Sequence, residues 1–336
     1  MDKQTLLIVP DLLPPPEWAG ELLAGLELPA LNALLARGDS VKAEDDTLEG
    51  LLCHALGVEE QDEGWPLAAI TAHTDGLTQG GYWLRADPVS FFMQRDKLLA
   101  LPPGELAADE VAALIGSLNQ HFHEDGLTFF APHVRRWYLW LEQSPSLVTI
   151  PLPQVLGRDV RHLMPQGEEA LRWHRLVNEA QMLMYRHPVN EALEERGARV
   201  VSGIWLWGGG KAGTAVSGRF QSMCSDDELA TLLAKAARMG SRTWPERWEP
   251  TVDSQLLVYG GLAEALRNGD WDAWRNRVQA FERGYARPLL AALRRGSLRR
   301  LEIRIPRTGG AAWAGALTPI SAWKFWRRGG LANPGG

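Results

Sequence analysis

Residues 203–213 read GIWLWGGGKAG, an apolar run that closes on three glycines and a lysine. Glycine-rich turns with a lysine cradle phosphates when the rest of the motif is present. A Walker A loop needs a glycine five places before the last one and a hydroxyl after the lysine. Trp205 and Ala212 stand there instead. Gly208, Gly210 and Gly213 match the dinucleotide spacing G-x-G-x-x-G, but no second strand ending in an acid follows. What remains is a buried strand over 204–207 and a tight glycine turn, with Lys211 as a candidate anion contact. The imidazoles are distributed unevenly: His54, His73, His121, His123, His133, His162, His174 and His187 all precede residue 188. His121 and His123 share a face only in an extended segment, and theirs reads as a helix end. Cys53 and Cys224 lie far apart, which excludes a cysteine-built zinc site and fits a reducing compartment.

The elements that must position such residues alternate. Residues 5–10 (TLLIVP) form a continuous apolar run stopped by proline, a buried strand. Residues 28–37 have helical spacing and end at Gly38; a short helix over 47–56 ends at Gly57. Strands are expected over 82–89, 128–130 and 137–142, with a helix over 105–124 between the first two. A long helical pattern over 168–196 is divided by Pro188. Ser225, Asp226, Asp227 and Glu228 spell a capping box that opens a helix to Met239. Strands over 256–259 and 301–305 flank a helix over 270–293. The outer parts read as an α/β sheet and the middle as a separate α+β unit. The last residues, GGLANPGG at 329–336, read as disordered, with the tail set at 331–336.

Bulk composition narrows the function classes. The chain has 336 residues, 45% hydrophobic and 23% charged, with net charge −6. That length suits two domains or one interrupted domain. The negative balance gives no broad field for nucleic acid or anionic lipid. No apolar run is long enough to span a bilayer and no signal-peptide core is evident, so a cytoplasmic protein is expected. Among the 15 tryptophans, Trp313, Trp323 and Trp326 lie close to Lys324, Arg327 and Arg328. That mixture suits C-terminal packing over the sheet, a protein-interaction hot spot or a stacking platform. The net acidity disfavours the nucleic-acid option.

Several segments, taken in order, resemble the cofactor-independent phosphoglycerate mutases of the archaeal type, within the alkaline phosphatase superfamily. LLIVPD at 6–11 is similar to the family's opening strand, and LPALNALLARG at 28–38 to its T-P-N-L-D-x-L-A-x-x-G. WLRADPV at 83–89 resembles F-R-C-N-L-V, and residues 114–130 resemble the family's helix and strand. VRRWYLWL at 134–141 resembles S-Y-R-H-L-L-V-L. HPVNEALEERG at 187–197 is close to H-P-V-N-x-x-R-x-x-x-G, and IWLWGGGK at 204–211 to W-L-W-G-Q-G.

The resemblance implies an α/β fold: an alkaline-phosphatase-like core with a mixed, mostly parallel sheet between helices, interrupted by an inserted α+β lid. The core would comprise 1–80 and 196–330, the lid 81–195, with the 203–213 stretch as the re-entry into the core. The family's chemistry uses two divalent metals (manganese, zinc or magnesium) and a transiently phosphorylated serine. Its metal-binding Asp–His segment falls on residues 263–267 (AEALR), so Ala263 and Arg267 replace ligands. Its Asp–His pair falls on Arg307 and Thr308, and its serine on Leu48, next to Thr47. Asp11 alone survives of the expected ligands. The expectation is therefore a metabolite-binding or regulatory pseudoenzyme with no cofactor, taking a phosphorylated or carboxylated small molecule. Arg85, Arg136, Arg267, Arg307 and Lys211 are its candidate anion contacts. The alternatives are a residual mutase or phosphatase using Asp11 and Thr47, and a scaffold using Trp313, Trp323 and Trp326 to hold a protein partner.

Overall fold

The computed structural model describes residues 4–42, 45–251, 253–307 and 312–334. The chain divides into two compact units, residues 1–57 with 216–336, and residues 58–215.

In chain order, the first unit opens with β1 (Gln4–Ile8), α1 (Ala19–Leu23), α2 (Pro29–Arg37), β2 (Asp39–Ser40) and α3 (Leu48–Ala55). The second unit contributes α4 (Leu67–Thr74), β3 (Tyr82–Gln94), β4 (Lys97–Leu101), α5 (Ala108–Phe122), β5 (Thr128–His133) and β6 (Arg136–Leu141). It ends with α6 (Leu152–Val155), α7 (Ala170–Met184), α8 (Pro188–Glu195) and β7 (Gly203–Lys211). The chain then returns to the first unit with β8 (Ser222–Ser225), α9 (Glu228–Ala236), β9 (Gly240–Thr243) and β10 (Gln255–Val258). There follow α10 (Gly261–Arg267), α11 (Trp271–Phe281), a π turn (Glu282–Ala286), α12 (Arg287–Arg294), β11 (Arg300–Ile305) and β12 (Trp313–Leu317).

The first unit is built on a seven-stranded sheet ordered β2-β12-β11-β1-β10-β8-β9. Five strands run parallel; β12 and β2 close one edge antiparallel. Central strands buried on both faces read as unbroken apolar runs, as β1 does. Its residues Leu6, Leu7 and Ile8 are buried between β10 and β11. The core gathers Leu7, Leu34, Trp274, Phe281, Leu289 and Ile303 from strands and flanking helices. One buried charge serves packing: both Glu282 carboxylate oxygens accept the first N–H groups of α2, from Ala30 and Leu31, at 3.1 and 2.8 Å. That satisfies donors a helix start leaves unpaired.

The second unit carries a five-stranded antiparallel sheet in which β3 pairs with β4, β6 and β7, and β6 with β5. Its core joins Trp137, Leu139 and Phe129 of the sheet to Leu114, Trp173 and Leu193 of α5, α7 and α8.

Four sequence expectations differ from what is observed. The 203–213 stretch is strand through its glycines and pairs with β3, so it belongs to the second unit and not to the core sheet. The unit boundaries accordingly fall at 57/58 and 215/216 rather than at 80/81 and 195/196. The glycines are there for close approach. A Cβ on Gly209 would collide with the Tyr82 hydroxyl, and one on Gly210 with Pro66 at the start of α4. The helix after β8 is capped by Asp227, whose carboxylate accepts from Ala230 N at 2.8 Å; Ser225 ends the strand. At the C-terminus, Leu331 is buried and donates its N–H to Asn32 Oδ1 at 3.0 Å. Leu331 is thus fastened to α2, and 335–336 lie outside the described residues.

Candidate functional site

In open α/β sheets, ligands bind beyond the carboxyl ends of the strands. In the first unit those ends bring together Asp11 after β1, Asp226 and Asp227 after β8, Gly260 and Gly261 after β10, and Arg307 after β11. Asp11 is buried and adopts φ 54°, a left-handed conformation that costs a non-glycine residue on the order of 1 kcal/mol. It is held there by Asp11 N–H to Pro306 O at 3.0 Å and by Trp274 Nε1–H to Asp11 O at 3.3 Å. Arg307 donates to Pro14 O at 3.1 Å and so clamps the loop that follows Asp11. Thr308, its partner in the family's Asp–His pair, lies outside the described residues.

Asp226 went unrecognised as a site residue because it sits inside a capping-box pattern. Its two oxygens accept the N–H groups of Gly260 and Gly261, at 2.6 and 3.0 Å. Burial pushes its carboxyl up, and the two N–H groups and Arg277 oppose that rise. Burial likewise raises Asp227, already committed to capping α9. Arg267 is the last residue of α10 and exposed, while Ala263 is buried one turn earlier. Among the described residues, no three His, Cys, Asp or Glu side chains come together as a group that could hold a metal ion.

Thr47 is the N-cap of α3. Its hydroxyl accepts from Gly50 N at 3.1 Å and donates to Asp45 Oδ1 at 2.7 Å, the same oxygen that accepts Thr47 N–H. A hydroxyl at a helix start, hydrogen-bonded to a carboxylate, has the ingredients of an activated nucleophile. It is also how an N-cap is ordinarily built.

The other arginine candidates belong to the second unit, in one buried network. Arg85 grips Asp87 with Nε and Nη2 at 2.8–3.1 Å and faces the rings of Tyr138 and Trp207. Asp87 also accepts Trp137 N–H at 3.1 Å and Trp207 Nε1–H at 2.8 Å. Arg136 holds Asp75 at 2.6 and 2.8 Å, and Tyr138 OH donates to the same carboxylate at 2.6 Å. Burial alone would raise Asp75; the hydrogen bonds from Arg136 and Tyr138 bring it below the ordinary carboxylate value. Arg85 and Arg136 are therefore ion-paired in place. Lys211 is exposed at the end of β7.

The tryptophan candidates separate. Trp313 is half-buried in β12, whereas Trp323 and Trp326 are 58% and 66% exposed beside Phe325 at 76%. Arg294 stacks on Trp323 at 5.4 Å, and Lys324 and Arg327 both pair with Asp39.

The mostly parallel sheet of the first unit and the antiparallel α+β second unit give an α/β protein of alkaline-phosphatase-like fold. A protein of known structure from Pyrococcus horikoshii shares this fold at TM-score 0.52 and 12% identity, over 94% of this chain and 87% of that one. In sequence, the chain is similar to cofactor-independent phosphoglycerate mutases. It is 29% identical over 111 residues to a probable 2,3-bisphosphoglycerate-independent phosphoglycerate mutase of Geobacter sulfurreducens. It is 26% identical over 117 residues to 2,3-bisphosphoglycerate-independent phosphoglycerate mutase 2 of Methanothermobacter thermautotrophicus. The matched stretches span 32% and 34% of this chain, and 28% and 29% of those relatives. No protein-family model matches the chain. No described helix is long and apolar enough to cross a membrane.

Proposed function

We propose that this phosphoglycerate-mutase-like chain is a pseudoenzyme. In this reading it has lost the two-metal phosphoryl-transfer centre and acts by binding a phosphorylated or carboxylated metabolite in a regulatory role. The donor set at the carboxyl edge of the first sheet carries this reading. Two metals that clamp attacking and leaving oxygens need several carboxylate and imidazole ligands from separate strands. Here Asp226 and Asp227 accept backbone N–H groups, Ala263 and Arg267 occupy ligand positions, and no histidine follows residue 187. These residues do not fit a two-metal centre. Arg267 and Arg307, at positions where the resemblance puts ligands, carry positive charge that would meet an anion directly.

The test is elemental analysis after incubation with manganese and zinc followed by desalting. Less than stoichiometric metal is expected; about two ions per chain, as the two-metal chemistry needs, would overturn the reading. A thermal shift with 3-phosphoglycerate, diminished in Arg267→Ala and Arg307→Ala, is the expected sign of metabolite binding.

The Thr47–Asp45 hydrogen bond favours a second reading, a residual phosphatase or mutase using Asp11 and Thr47. Metal-dependent turnover abolished by Thr47→Val would establish it. The exposed Trp323 and Trp326 favour a third, a scaffold for a protein partner. Removing everything after Gly310 would strip β12 from the sheet, so the cleaner probe is Trp323→Ala with Trp326→Ala.

A further inference from the structure

A cavity of about 700 Å³ opens on the first unit at β8, β9 and β10, and none of the carboxyl-edge residues considered above lines it. Its floor is buried: Cys224 of β8, Gln255 of β10, Trp248 and Tyr285 are each at most 5% exposed. Its rim carries two exposed arginines, Arg242 of β9 and Arg247, and one acid, Glu249.

The walls are fixed before anything binds. Trp248 N–H donates to Gly284 O in the π turn at 2.9 Å, and Trp248 Nε1–H donates to Gln255 Oε1 at 3.0 Å. Tyr285 OH donates to Pro245 O. Tyr285 is stacked against Trp244 at 4.1 Å, and Trp244 against Tyr259 at 4.8 Å. A Cβ on Gly284 would strike Glu246 O, so the 244–250 loop and the π turn are in direct backbone contact. π turns inside helices recur at functional sites, and this one supplies a wall of the cavity.

The charge in the cavity is not balanced internally. Among the described residues neither Arg242 nor Arg247 forms an ion pair. The Cys224 thiol beside Arg242 accepts from Gln255 Nε2 at 3.8 Å, and burial pushes it up and so keeps it neutral. Two guanidinium groups against the single Glu249 carboxylate leave one net positive charge over an aromatic and apolar floor. Preformed pockets of a few hundred Å³ with an apolar lining and a few polar groups are how proteins hold small molecules.

The geometry points to a second small-molecule site, one that takes an organic monoanion: a flat apolar body against Tyr285 and Trp248, with its carboxylate between Arg242 and Arg247. A guanidinium meets a carboxylate with two parallel hydrogen bonds, which a neutral analogue cannot replace. This site is independent of the metal question, because none of its residues stands at a family ligand position.

Calorimetric titration of the full chain with benzoate tests it, with benzyl alcohol as the neutral analogue. One benzoate per chain is expected, with Kd raised about tenfold or more by Arg242→Gln or Arg247→Gln. Arg242→Lys, which keeps the charge, retains part of the affinity, and benzyl alcohol binds far more weakly. Arg307→Gln, at the carboxyl edge, leaves benzoate binding unchanged; an effect there equal to that of Arg242→Gln would overturn the assignment. So would the absence of heat up to about 10 mM benzoate, or undiminished binding by the folded Arg242→Gln, Arg247→Gln double variant. Both arginines are exposed, so melting temperatures of the variants verify that they fold.

Discussion

Two pairs of arginines, one pair in each unit, are treated in opposite ways. In the second unit, Arg85 and Arg136 are buried and each is locked onto a carboxylate, with tryptophan and tyrosine donors completing the shell. In the first unit, Arg242 and Arg247 stand at a cavity rim with a neutral thiol and an amide on the floor beneath them. A buried charge is tolerated only when paired, so the first pattern is architecture. An exposed charge over a cavity keeps its capacity to pair with something brought in. Arginine alone therefore does not mark a site in this chain; its electrostatic surroundings do.

The comparison is broken most severely at Asp87. Asp87→Ala strands a buried guanidinium and two N–H donors, and should cost about 3–5 kcal/mol in urea unfolding of the second unit. A loss under about 1 kcal/mol would mean that the pair behaves like a surface one. Thr47→Ala is expected to cost about 1 kcal/mol through the lost cap of α3. Thr47→Asn, which keeps a cap acceptor but no hydroxyl, should be close to neutral, which separates capping from any catalytic part.

A titration sharpens the contrast from a third side. His187 caps α8, its Nδ1 accepting Val189 N–H at 3.2 Å while Nε2 lies 3.0 Å from Ser117 Oγ. Burial lowers its pKa below the ordinary value of about 6.5. The folded state thus prefers the neutral ring. Its contribution is complete above about pH 6.5 and is lost as pH falls through the lowered folded value, where protonation removes the Nδ1 acceptor. Stability measured from pH 7.5 down to 5 should show this fall, and His187→Asn, which keeps a cap acceptor, should flatten it. The smallest effect is expected at the cavity: Arg242→Gln should change unfolding free energy by no more than about 0.5 kcal/mol while weakening benzoate.

Much of the fold was legible in the sequence because central parallel strands and amphipathic helices leave strong local patterns. TLLIVP marked β1, and residues 301–305 marked β11. What was missed lacked a local signal. α4 (LAAITAHT) is apolar nearly all round and starts after Pro66 with no polar cap, so neither periodicity nor capping announced it. The β3–β4 hairpin turns through Arg95 at φ 55°, with no glycine to flag it. The triple glycine was read as a turn because its reason, Tyr82 and Pro66 pressing on the strand, is a tertiary contact. The site was legible only in part. Arg85 and Arg136 were found, but their partners Asp87 and Asp75 decide what they do. The cavity arginines belong to no motif, since β8, β9, β10 and the π turn come together only in the folded sheet.

The placement of β1 has a consequence for how the chain is made. This strand sits mid-sheet, and its neighbours β10 and β11 lie about 250 and 300 residues downstream. At ribosomal rates of about 5–20 residues per second, Leu6, Leu7 and Ile8 wait roughly 13–50 s for their first strand partner to be synthesised. Residues 58–215 are complete well before that. During translation β1 is therefore a sticky, unpaired β segment, a target for a chaperone until β10 emerges.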